Sequence, residues 1–190
     1  MFRATVNDVL LTGLALAVTR WRRDEGRAVL VDVEGHVREE ELASGALERV
    51  RAHLDGLPSA GLGHGLLRYL NSRTASALAE FPGAQIEFNY LGRIGVPEAT
   101  DWSYAAEAEA AALGADDGMP AAHALTLNAV TEDRPGGPEL GAHWYWPEAV
   151  LTEESVRELA ETWFTALDAL AHRAARLDSR EDGTQKEKKA

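Results

Sequence analysis

With 190 residues, the chain is long enough for one domain with a real core and short for two. Acidic residues outnumber basic ones 31 to 19, a formal net charge of −12 with no basic cluster before the last residues, so no nucleic-acid partner is expected. No cysteine is present, which excludes disulfides, thiolate zinc sites and cysteine nucleophiles.

The start, Met1 to Asp8, lacks the basic n-region of a secretory signal. The first helix is predicted from there to about Arg22, with Asn7 as its cap and Asp8 in its first turn. Apolar residues on most of its faces predict burial on several sides. The run Val9 to Val18, interrupted by Thr12 and Gly13, falls well short of the ~20 residues of a membrane span. A cytoplasmic chain with no membrane partner is the expectation.

Ala28 to Val33 is a continuous, largely β-branched run, which predicts a central strand covered on both faces. It leads into Glu34-Gly35-His36. A helix is expected over 44–54, stopped by Pro58. The glycine-rich Gly61-Leu-Gly-His-Gly65 opens a helix over 66–70, and a second short helix is expected over 72–81. Alternation of Ile86, Phe88 and Tyr90 against Gln85, Glu87 and Asn89 predicts a strand over 85–91, and two more are expected around 124–130 and 140–146, joined by a hairpin loop at Asp133 to Pro138. Tyr104 to Asp117 reads as a surface helix or loose connection. Thr152 caps the clearest helix, whose apolar positions Val156, Leu159, Ala160, Trp163, Leu167, Leu170 and Ala171 share one face. Residues 1–177 form one α/β domain in this reading; 178–190 hold no apolar residue but the last alanine and are expected to be a disordered polar tail.

Which side chains could do chemistry? Glu34 follows a buried strand, where open α/β sheets place ligands, and desolvation there would suit a carboxylate to proton transfer. A solvated strand-end carboxylate is the plainer reading, and the residue pattern alone favours it. His36 with Arg38 to Glu41 reads as a solvated charge run rather than a metal site, since ligands converge from separate elements. In the 61–65 loop no Lys-Ser/Thr follows the last glycine, so tight packing at a helix entry is expected there, not phosphate binding. Asn89 and Tyr90 are neighbours on one strand and therefore face opposite sides of the sheet.

Several of these segments together resemble the second lobe of nonribosomal-peptide-synthetase epimerization domains, members of the condensation-domain superfamily. They are Val6-Asn-Asp-Val-Leu-Leu11, Glu34-Gly-His-Val-Arg-Glu39, Gly61 to Leu70, Phe88-Asn-Tyr-Leu-Gly92, Leu125-Thr-Leu-Asn128 and Trp144-Tyr-Trp-Pro147, in family order. The resemblance implies a two-layer α/β sandwich of the chloramphenicol-acetyltransferase-like kind, a mixed sheet with helices packed on it. It also implies inversion at Cα of an aminoacyl or peptidyl thioester, with no cofactor bound directly: a peptidyl carrier protein presents the substrate on its phosphopantetheine arm. Carried over by position, Glu34 is the catalytic carboxylate, and His36, Asn89 and Tyr90 contact substrate. The family's paired-histidine motif is not in this sequence, nor is its Asp-Leu-Ser-Arg-Thr-Val-Gly-Trp-Phe-Thr stretch after Glu41, and Val37 stands where glycine is usual. The chain alone is therefore expected to be inactive and to need an N-terminal lobe from another chain. Alternatives are a non-catalytic docking module for a carrier or synthetase domain, a condensation-domain remnant, or a chain without function.

Overall fold

The computed structural model describes residues 5–22, 29–33, 45–56, 62–95 and 120–187. These fall into two compact units, one helical and one a sheet.

The helical unit begins with α1, Val6–Arg22. Its cap is Thr5 rather than Asn7. The Thr5 hydroxyl accepts from the Asp8 amide at 3.1 Å, and the Asp8 carboxylate accepts from the Thr5 amide at 2.9 Å, a reciprocal box that satisfies two otherwise orphaned donors. Leu10, Leu11, Leu14, Ala17 and Val18 are buried, while Ala15, Leu16, Thr19 and Arg20 keep one face in solvent. The helices α2 (Gly45–Asp55) and α5 (Glu153–Glu187) pack on it. In α5 the expected stripe holds, with Val156, Leu159 and Trp163 buried, and Thr152 caps it by accepting from the Ser155 amide at 3.2 Å. The tightest point of this seam is Trp163, fully buried, whose indole N–H donates to the Leu10 carbonyl at 3.1 Å. Gly13 makes the approach possible: a Cβ there would stand 2.6 Å from Leu167 Cδ2 and 3.3 Å from Trp163 Nε1.

The polar stretch expected to be a disordered tail is helical as far as Glu187. Arg, Glu, Gln and Lys are adequate helix formers, and each residue added to an existing helix avoids the cost of nucleation. Lack of apolar residues forbids a core, not a helix.

In chain order a small hairpin follows α2: α3 (Leu62–Gly65), one π-turn (Leu66–Leu70) and α4 (Ala75–Ala79). It is tied to itself by Thr74 Oγ1 donating to the Leu67 carbonyl at 2.7 Å and by Arg68 donating to the Leu78 carbonyl. None of its residues is buried. A Cβ at Gly63 or Gly65 would meet nothing within 4 Å, so the close packing expected of this glycine-rich entry is not found at these two positions.

The sheet unit holds β1 (Val31–Val33), β2 (Ile86–Gly95), β3 (Leu125–Arg134) and β4 (Gly137–Tyr145), in that spatial order. β1, β2 and β3 run parallel; β4 returns antiparallel from a tight turn with Gly137 at φ 117°, so the sheet is mixed. Among the described residues β1 is an edge strand of three residues, not the doubly covered central strand the run 28–33 predicts. Val-Asp-Val alternates, and its middle side chain points to solvent. In β2 the register slips by one residue between Tyr90 and Arg93, at Gly92 with φ 87°. Glu34 to Ser44 and Val96 to Met119, and with them the Glu-Gly-His motif and the alanine-rich stretch, lie outside the described residues. Among the described residues no helix is long and apolar enough to cross a membrane.

Candidate functional site

Register and alternation give the sheet two unlike faces. Ile86, Phe88, Leu125, Leu127 and Ala129 point one way and are buried. The other face carries two polar rows. Asp32, Glu87, Thr126 and Tyr145 stand opposite one another across four strands, and Asn89, Asn128 and His143 form the next row. Alternation alone produces this division, because each strand places successive side chains on opposite faces.

Asn89 and Tyr90 accordingly part company. Asn89 lies in the second polar row, and its Oδ1 is buried with no hydrogen-bond partner among the described residues. A buried amide oxygen left in this state is costly, so it is ready to accept from a donor brought to it. Tyr90 lies on the apolar face, where its hydroxyl pairs with Thr131 Oγ1 at 2.9 Å. Two further buried polar atoms lack partners in the same way, the Tyr145 hydroxyl and Trp146 Nε1. Burial pushes the Tyr145 hydroxyl above the ordinary tyrosine range.

The first row holds a cluster that the sequence pattern does not announce. His123 Nε2 lies 2.8 Å from Asp32 Oδ2, and its Nδ1 faces Glu87 Oε2 at 3.6 Å. That same Glu87 oxygen accepts from Thr126 Oγ1 at 3.0 Å. The six histidines are scattered in sequence, and only the strand register reveals that one of them meets two carboxylates. At the far end of β2, Arg93 donates to Asp133 at 2.7 Å, and that carboxylate holds the guanidinium above its usual value. Among the described residues no cluster of three or more His, Asp or Glu is arranged to hold a metal ion. Of the four site residues read from the sequence, Asn89 and Tyr90 are placed as above; Glu34 and His36 lie outside the described residues.

This α/β lobe, one sheet face apolar and the other lined with hydrogen-bonding groups, has the epimerization-domain fold. The solved epimerization domain from the third module of tyrocidine synthetase B matches 89% of the chain with a TM-score of 0.65 at 22% identity, and the chain covers 42% of that domain. A linear gramicidin synthase of Brevibacillus parabrevis is 31% identical over 90% of the chain, and chondramide synthase of Chondromyces crocatus is 30% identical over 82%. The chain spans only 2% and 4% of those two proteins. No family model matches it. The chain carries a partial condensation/epimerization-domain-like region of nonribosomal peptide synthetases. Its alignment with the gramicidin synthase runs over 206 positions, more than the 190 residues of the chain, so segments of the relative's shared stretch are missing here.

Proposed function

We propose that the chain supplies the carboxylate-bearing half of an epimerization site, acting on the α-carbon of an aminoacyl or peptidyl group held as a thioester on a carrier protein. Inversion requires removal of the α-proton on one side and delivery of a proton on the other, hence two acid/base groups facing each other across the substrate. Glu34 is one of them; the other belongs to a histidine-bearing lobe that this sequence does not contain. His36 and Asn89 line the substrate path in this reading; Tyr90, on the opposite face of the sheet and bonded to Thr131, supports the strand from behind.

One observation carries the proposal. Val33 pairs with Phe88 across β1 and β2, and the next residue along the sequence is Glu34 on one side and Asn89 on the other. Two motif residues far apart in the chain thus follow directly on a paired couple. The Asn89 oxygen, without a partner among the described residues, suits the rest of the chemistry: a phosphopantetheine arm and a peptidyl load carry amide N–H groups that such an acceptor satisfies.

The test places the histidine-bearing lobe of the tyrocidine synthetase B epimerization domain ahead of this chain on one polypeptide. An aminoacyl carrier protein is added and deuterium incorporation at Cα is followed. Exchange above background, lost in Glu34→Gln, is the expected result. A folded fusion that exchanges no faster than the carrier alone overturns the reading.

A second reading, a docking module without catalysis, is favoured by the 62–81 hairpin and its exposed apolar side chains. It gains if the same fusion shows carrier-induced NMR shifts on the hairpin but no exchange at Cα.

A further inference from the structure

β1 is a precarious strand. It is three residues long, it lies at an edge among the described residues, and its central residue Asp32 is paired directly with Glu87. Like charges opposite one another on neighbouring strands repel and destabilise the pairing. A chain of net charge −12 has little spare positive charge to relieve them.

His123 stands where that relief is needed. Its ring is 14% exposed, against 65% and 43% for the Asp32 and Glu87 side chains, so the imidazole is wedged beneath two carboxylates that reach outward. The residue does not depend on β1 for its own position. Just after it, the amides of Ala124 and Leu125 both donate to the Gln85 carbonyl, at 2.9 and 3.2 Å, which fixes the entry of β3 to the entry of β2. From that anchored base the ring donates across to Asp32 and faces Glu87, while Thr126 donates to Glu87 from β3. One side chain therefore links three strands, bonded to the carboxylate of one and facing that of the next.

We propose that His123 is a positioning residue: it clasps β1 in register on β2 and so sets where the residue following Val33 is presented. This rests on the reading of Glu34 as the site's carboxylate. The clasp touches no reacting atom. Its effect passes along a strand only three residues long.

Amide hydrogen exchange by NMR on the full chain tests the clasp, read as protection of Val31 to Val33 relative to Leu125 to Ala129 in the same sample. His123→Ala is expected to speed exchange at the β1 amides about tenfold relative to β3, since it removes a charge-assisted hydrogen bond and exposes a like-charge pair. Adding Asp32→Asn to His123→Ala removes one of the opposed charges and is expected to restore most of the protection, a rescue that simple loss of packing would not show. If His123→Ala fails to fold while the double variant folds, repulsion is again the cause and the proposal stands. If β1 protection is unchanged in His123→Ala, or if neither variant folds, the clasp is wrong.

Its consequence for the site is read in the two-lobe fusion. His123→Ala is expected to lower kcat for Cα exchange about tenfold with the KM for the carrier protein unmoved, and Asp32→Asn to recover it. Absence of Cα exchange in the unsubstituted fusion, with β1 still loosened by His123→Ala, retires the epimerase reading and leaves the clasp intact. Normal Cα exchange in a fusion whose β1 ignores His123→Ala does the reverse.

Discussion

The α1–α5 seam and the 62–81 hairpin are built from the same kinds of residue and use them in opposite ways. In the seam, Leu10, Leu14, Leu159 and Trp163 are almost wholly buried. In the hairpin, Leu62, Leu66, Leu67, Tyr69, Leu70 and Phe81 all stand exposed, Tyr69 by 75% and Leu70 by 79%. Hydrophobic content therefore says little until the partner surface is known. A helix spends leucines on its own core when another helix lies against it, and otherwise leaves them for whatever comes next. The hairpin keeps its shape through hydrogen bonds of its own, from Thr74 and Arg68, rather than through a core.

Three substitutions sharpen this contrast. Trp163→Ala empties the centre of the seam and should cost about 4 kcal/mol of unfolding free energy, measured by urea titration. Gly13→Val pushes two methyl groups against Leu167 and the anchored indole of Trp163, and an expected loss of about 2 kcal/mol follows from overpacking. Leu70→Asn in the hairpin removes a side chain that touches little, so its effect on stability should stay below about 0.5 kcal/mol. The contrast breaks if Leu70→Asn proves as costly as Gly13→Val, for then the hairpin is packed after all.

The seam was also the part most readable from sequence. The i, i+3, i+4 spacing of Val156, Leu159 and Trp163 and the cap at Thr152 are local signals, and α5 obeys them. The alternation of Ile86 and Phe88 against Glu87 and Asn89 marked the two faces of β2 equally well. Asn7 is a good cap of α1 by type, but Thr5 wins through the reciprocal bond that Asp8 offers three residues on. Beyond reach were features made by distant partners. Nothing local to residues 28–33 says that the strand lies at an edge among the described residues, since edge or centre depends on what pairs with it. Likewise His123 and Asp32 are separated by 91 positions, and no spacing rule brings them together. Asn89 and Tyr90 are legible as a motif, but the buried oxygen of the one, unpartnered among the described residues, and the Thr131 bond of the other emerge only from the folded sheet.

The single extra residue in β2 has a wider effect than its size suggests. Before Gly92, odd positions carry the polar row and even positions the apolar one; past it the parity inverts, so that Arg93 continues the line of Ile86, Phe88 and Tyr90. The oily side of the strand thereby ends in a cation locked to Asp133, a charged stopper that neighbouring β-structure cannot extend without burying it. Ile94 swings instead to the side of Asn89. A half-step in the weave thus marks both where the greasy surface ends and which way the strand's last residues look.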